Sequence, residues 1–290
     1  MNTKKNNVSI DRKQAVWFVL LAAVLWSSGG LLIKSVSWHP LAISGARSAI
    51  AALIVAYAFR TEKVRWSKTM LIGACSYAGI VLLFVSATKL TTAANAIFLQ
   101  YTAPIYVALL GGWLLKEKTT TSDWLTIIVV FAGMGLFFID KVTAGSLAGN
   151  LLAIASGISF AIFVICMRKQ QDSQPFASVL VGNIITFLVG LPFIVEQTMD
   201  VSNWGMIFVL GIFQLGIPYV LYTKAIQKVT ALESIMIPVI EPVLNPIWVF
   251  LFLGENPGIW SIVGGIIILT AITGRYLIAA YRKDSCQGTV

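Results

Sequence analysis

One pattern constrains this chain more than any other. Stretches of about 18 or more residues with almost no charge recur from Val16 to about Ile278. A helix rises about 1.5 Å per residue, so each stretch is long enough to cross a hydrocarbon core about 30 Å thick. Water cannot satisfy the backbone there, so each segment must close its own hydrogen bonds as a helix. Composition agrees: 58% of the 290 residues are hydrophobic, only 11% are charged, and the mean hydropathy is +0.85. Such a chain has too few polar side chains to cover a water-facing surface. The expected fold class is an all-α membrane protein.

Apolar runs read against turn and charge signals give ten expected transmembrane helices, at about 15–35, 40–59, 68–87, 93–115, 122–140, 146–167, 175–195, 203–223, 232–253 and 258–280. The first lacks an A-x-A cleavage site and reads as a retained span. Placing the N-terminus inside puts sixteen basic residues in cytoplasmic segments, among them Lys4, Arg12, Arg60, Arg168 and Lys283, against Lys34, Lys89 and Lys141 outside. The opposite orientation inverts that bias, so both termini are expected in the cytoplasm of a multi-pass cell-membrane protein. The net charge of +9 is therefore a topology signal and not a nucleic-acid one. Cys75, Cys166 and Cys286 stand apart with no CxxC spacing, and His39 is the only histidine. Neither a metal site nor another cofactor is expected.

The chain also resembles itself. "TAPIYVALLGGWLLKE" (102–117) lies over "IEPVLNPIWVFLFLGE" (240–255) at an offset of 138, matching Pro104 to Pro242 and Glu117 to Glu255. A weaker match sets "LLAAVLWSSGG" (20–30) over "LLAIASGISFA" (151–161). The expected organisation is a tail over 1–14, a five-helix repeat over 15–140, a second over 146–280 and a tail over 281–290. An odd number of spans per repeat inserts the second copy upside down, the architecture of alternating-access transporters, with a central cavity between the copies. Glu117 and Glu255 each fall at a helix end shortly before the next helix begins, and each is expected to cap that following helix.

Glu241 lies nine residues from one end of its span and twelve from the other, near the bilayer midplane. A carboxylate there must face a cavity or a partner, and Arg47 in span two is the other charge deep in the membrane. Helical spacing sets Glu241, Asn245, Trp248 and Phe252 on one stripe, beside Pro238, Pro242 and Pro246 on the next. Each proline removes an N–H and leaves a carbonyl four residues earlier without its helical partner. Loosened backbone at this depth is tolerated where it lines a cavity. Glu241, Asn245 and Trp248 are therefore candidate cavity residues, and the three prolines with Pro104 are candidate hinges. The bland alternative is a structural Glu241–Arg47 ion pair. Trp26, Ser27, Tyr77, Asn95, Gln100, Tyr101, Gln214 and Tyr222 complete the candidate lining, offering aromatic faces and hydrogen bonds. Glu241 is also the proton-coupling candidate, because protonation and a cationic substrate would compete for it.

Together, the tryptophan-small motif "LWSSGG", the Pro-x6-Arg of "PLAISGAR", the paired proline-to-glutamate blocks and the ten spans resemble the EamA-type transporters of the drug/metabolite transporter superfamily. The resemblance covers Val16 to about Ile278 and implies a secondary transporter for amino acids, sugars, nucleotide sugars, cations or drugs, working by proton coupling or exchange. It also implies that one chain carries both halves, so that no oligomer is required.

The favoured function is export of a small metabolite, an amino acid first, with protons or a counter-substrate and the lipid bilayer as the other partners. The alternative is an organic cation, amine or drug, moved in either direction. A membrane-embedded enzyme needs a nucleophile or metal cluster, and a lone loop histidine with scattered serines supplies neither.

Overall fold

The computed structural model describes residues 10–136, 146–172, 174–198, 200–253 and 259–287. Among them there is no strand; the chain is helix after helix. In order these are α1 (Arg12–Trp26), α2 (Gly29–Ser35), α3 (Pro40–Ala58), α4 (Lys68–Leu90), α5 (Ala93–Gln100), α6 (Ala103–Leu114) and α7 (Thr121–Leu136). Then follow α8 (Leu147–Lys169), α9 (Phe176–Ile194), α10 (Val201–Val209), α11 (Ile217–Ala225), α12 (Ala231–Met236), α13 (Ile240–Leu253) and α14 (Ile259–Gln287). Among the described residues, seven helical segments are long and apolar enough to cross a membrane: Arg12–Ser35, Pro40–Ala58, Lys68–Leu90, Ala93–Leu114, Leu147–Lys169, Phe176–Ile194 and Val201–Ala225. Thr121–Leu136 and Ile262–Arg275 are shorter apolar helices.

Local chemistry sets where these helices begin. Asp11 accepts from the Gln14 N–H while the Gln14 side chain accepts from the Asp11 N–H, and Thr230 and Glu233 repeat that reciprocal cap on α12. Ser67, Thr92, Ser146 and Asp200 each accept a backbone N–H in the first turn of the helix that follows. Pro40 opens α3, where its missing N–H costs nothing.

Four segments are interrupted within the bundle. Ser27–Ser28 separates α1 from α2, and Tyr101–Thr102 separates α5 from α6. Leu210–Gly216 is a π-helical turn between α10 and α11, and Ile237–Val239 is a 3-10 turn between α12 and α13. The last follows from Pro238 and Pro242, as the sequence indicates. The π turn has a tertiary cause: Gly211 and Gly216 seat against Ile50 and Ile54 of α3 so closely that a Cβ would stand 2.7 and 2.6 Å from those side chains.

The main helix pairs are α4 on α8 and α9, α3 on α9, α7 on α14 and α1 on α11. Lipid gives helices no hydrophobic reason to associate, so close packing of small residues must hold them. Gly45 of α3 and Gly190 of α9 let two backbones touch. The buried core runs through Trp26, Tyr77, Tyr101, Phe163, Tyr219 and Tyr222, whereas Trp17, Leu53, Trp113 and Val195 lie on the outside. Trp38 sits at a span end, where an interfacial anchor is the simple reading, yet it is 4% exposed with its ring against Trp204.

Candidate functional site

The 3-10 turn at Ile237–Val239 delivers Glu241 to the bundle interior, 7% exposed, in the first turn of α13. Its Oε2 lies 2.8 Å from the hydroxyl of Tyr101, which occupies the α5–α6 break. The same hydroxyl donates to the Pro238 carbonyl at 2.7 Å. Two interruptions, far apart in sequence, therefore meet at one phenol.

Across a narrow space stands Arg47 of α3, 2% exposed. Its Nη1 donates to Gln214 Oε1 at 2.7 Å, and its Nε has no hydrogen-bond partner. Gln214 is carried by the π turn, where one added residue per turn re-aims side chains. Glu241 and Arg47 do not form an ion pair; among the described residues, the ion pairs lie elsewhere. Instead the two charges line a cavity of about 40 Å³ together with Trp26, Gln100, Phe160, Gln214 and Tyr219. That space suits a water or two, so a metabolite can be admitted only if the walls part.

Of the residues expected to line a site, Glu241, Arg47, Trp26, Gln100 and Gln214 meet at this cavity. Tyr101 stands directly behind Glu241. Tyr77 and Tyr222 form a second layer: Tyr77 packs edge-on against Tyr219 at 4.7 Å, and Tyr222 lies 5.5 Å from Trp26 and donates to Ser234 Oγ. Ser27 accepts from Trp248 Nε1 at 2.7 Å, so this pair joins α1 to α13 away from the lining. Asn95 is not on the cavity wall either. Its amide donates to Thr91 Oγ1 at 3.4 Å, just before α5 begins. Pro104 opens α6 just after the Tyr101–Thr102 break. The side chains of Asn245 and Pro246, like Glu255, fall outside the described residues. Phe160 and Phe84 were not expected in the lining, since nothing in a local apolar pattern separates a cavity phenylalanine from a packed one.

A larger cavity, about 280 Å³, lies where α6, α7, α12 and α14 come together. Its acidic residues are already engaged. Glu117 binds Arg168 Nε at 2.6 Å and accepts from the Ala231 N–H at 2.8 Å. Asp123 binds Arg275 at 2.7 Å, and Glu233 binds Arg12 at 2.5 Å. Glu117 thus caps a helix as its position suggests, but α12 rather than the α7 that follows it. Asp123 itself takes the Thr120 N–H at the start of α7. This cavity is a crevice between clasped segments, and its acidic side chains already hold arginine partners.

Comparison with known proteins places these features. The model of the EamA-like transporter family matches the chain twice, over residues 13–139 and 147–276. Threonine/homoserine exporter RhtA of Escherichia coli is 26% identical over 84% of this chain and 86% of its own. An uncharacterized transporter of Bacillus subtilis, YwfM, is 25% identical over 84% of this chain and 88% of its own. An uncharacterized transporter of Archaeoglobus fulgidus is 24% identical over 89% and 97%. A crystal structure aligns at a TM-score of 0.79 and 17% identity, covering 93% of this chain and 99% of that one, and shows that the fold is shared.

Proposed function

The chain belongs to the EamA-like transporter family, and on that premise we propose that it exports an amino acid across the cytoplasmic membrane by alternating access. It is a multi-pass membrane transporter; substrate, direction, coupling and orientation make up the proposal. The observation that carries it is the pairing at the cavity: a buried carboxylate and a buried guanidinium face the same space without neutralising each other. An α-amino acid brings both complements, an ammonium for Glu241 and a carboxylate for Arg47. Each charge then recovers through substrate what it forgoes in an internal ion pair. Trp26, Phe160 and Tyr219 add an aromatic wall for a side chain. The RhtA relatives, named as threonine/homoserine exporters, support this substrate class and this direction. An organic cation would suit Glu241 and the aromatic wall but leaves Arg47 unexplained.

Ten transmembrane helices arranged as two inverted repeats are part of the same reading. The double family match supports it, and so do the interruptions. Under the offset of 138, α5 starts where α12 does and its break at Tyr101–Thr102 falls on Val239–Ile240, where the 3-10 turn gives way to α13, each helix with a threonine cap. Rocking one repeat against the other would open the cavity to one side at a time. With both termini inside, the Arg168–Glu117 end faces the cytoplasm.

Glu241 is the proposed proton site, since bound ammonium and bound proton exclude each other there. The test is flux in reconstituted vesicles with radiolabelled threonine and homoserine, followed by other amino acids, amines and sugars. Wild type should accumulate an amino acid against its gradient when driven by a pH difference, and Glu241→Gln should lose that accumulation. A Glu241→Gln protein that accumulates as wild type does would make the carboxylate structural, and flux of amines alone would favour the cation reading.

A further inference from the structure

We infer that Tyr101 couples the protonation of Glu241 to the helix break beside it, through a carbonyl that Pro242 leaves without its helical partner. In an α-helix the Pro238 carbonyl would accept from the N–H of residue 242, and proline has none. Tyr101 supplies a donor from the other family-matched segment, at 2.7 Å, while its oxygen lies 2.8 Å from Glu241 Oε2.

The geometry sets a proton count. A phenol has one proton, and here it faces two acceptors. With a proton on Glu241, the carboxyl donates to the Tyr101 oxygen and Tyr101 donates to Pro238, so both short contacts are hydrogen bonds. Without it, the phenol turns its proton to the carboxylate, the stronger acceptor, and the Pro238 carbonyl loses the phenol's donation. The carbonyl then falls back on the N–H of Ile240 in its own 3-10 turn, so the two protonation states favour different geometries at Ile237–Val239. The proton is thus read as a change in the backbone that joins α12 to α13, the element that carries Glu241. No covalent bond changes; one proton moves onto the carboxylate and one hydroxyl turns.

The other groups facing Glu241 do not replace this arrangement. Tyr219 reaches towards it from α11, and Tyr222 of the same helix has its hydroxyl engaged with Ser234. Arg47 lies across the cavity from α3 with its own acceptor in Gln214.

The proposal rests on Glu241 being the proton site, and an infrared titration of the full chain in lipid nanodiscs separates the two. Protons are the probe, so no substrate is needed. Glu241→Gln should remove one carboxylic C=O band, which identifies it. In wild type a tyrosine C–O–H band should change with the same midpoint, and Tyr101→Phe should abolish that band and move the Glu241 C=O band to higher frequency. Pro242→Ala keeps both side chains but restores an N–H to the Pro238 carbonyl, and it should uncouple the tyrosine band from the titration. A Glu241 band that titrates with no tyrosine change overturns the role of Tyr101 and leaves the proton site standing. An unaltered C=O frequency in Tyr101→Phe, or unaltered coupling in Pro242→Ala, overturns it equally. Absence of any Glu241 band overturns the proton site, and the role of Tyr101 with it.

Discussion

Arg168 of α8 holds Glu117 at 2.6 Å, joining the second family-matched segment to the first. Among the described residues two more ion pairs join distant parts of the chain: Arg275 to Asp123 also links the two matched segments, and Arg12, just before the first, binds Glu233 in the second. All three gather around the N-termini of α7 and α12, while among the described residues the opposite end is joined by neutral contacts such as Thr91 to Asn150 and Ser37 to Asn203. Charge pairs thus clasp one end of the bundle, and the alternating access proposed above would require that end to open.

Removing the clasp should loosen this end first. Glu117→Ala takes away both the partner of Arg168 and the acceptor of the Ala231 N–H. Amide exchange over Thr230–Met236 should accelerate by roughly tenfold, which corresponds to about 1.4 kcal/mol of lost protection. Arg168→Ala should give a smaller change, and the double variant should fall short of the sum because the two residues share one interaction. Exchange confined to α9 or α10 would show that the pair does not close this end.

Orientation is open to chemistry. On a background lacking Cys75, Cys166 and Cys286, single cysteines at Glu62, Asp172 and Gln227 should be shielded from an impermeant thiol reagent in intact cells. Cysteines at Glu196 and Asp200, both exposed, should react. The reverse pattern would place the Arg168–Glu117 clasp on the outer face and reverse the reading of the charge bias.

Glycine contacts make opposite predictions at two positions. A Cβ on Gly190 would stand 2.5 Å from the Leu41 carbonyl oxygen and 2.6 Å from the Gly45 Cα, and backbone cannot move aside as a side chain can. Gly190→Ala should therefore destabilise by about 1–3 kcal/mol. Gly205 in α10 has nothing within 4 Å of such a Cβ, so Gly205→Ala should stabilise by up to about 1 kcal/mol through helix propensity. Thermal unfolding of the purified protein reads both signs.

Helix starts were legible in the sequence because they are local: Pro40, Thr92 and the Thr230–Glu233 cap announce themselves. The prolines likewise announced the break before Glu241. What stayed hidden depends on contacts between distant segments. Gln214 could be suspected as a polar residue in a span, but the π turn that aims it at Arg47 arises from glycines seated on α3. Glu117 was legible as a cap, yet sequence adjacency points to α7, and only packing between the segments reveals α12. Asn95 reads from the sequence as a cavity amide, and the contact of its side chain with Thr91 depends on how α4 hands over to α5.

The last prediction concerns Arg47 and Gln214. The Gln214 carbonyl is the side-chain acceptor of a guanidinium that is 2% exposed, and hydrogen bonds to charged groups contribute about 1.5–3 kcal/mol. Gln214→Leu leaves the cation without that acceptor and should cost at least this much. Arg47→Met with Gln214→Leu removes both polar groups and should recover most of the loss, because an apolar pair of similar volume has no desolvated charge to satisfy. A purely structural arginine predicts nothing more. A substrate-binding one predicts that threonine, or whichever amino acid the flux assay identifies, raises the unfolding temperature of wild type and leaves that of the double variant unchanged. If the double variant is stabilised by the amino acid as much as wild type, Arg47 does not receive the carboxylate, and the zwitterion reading of the cavity falls.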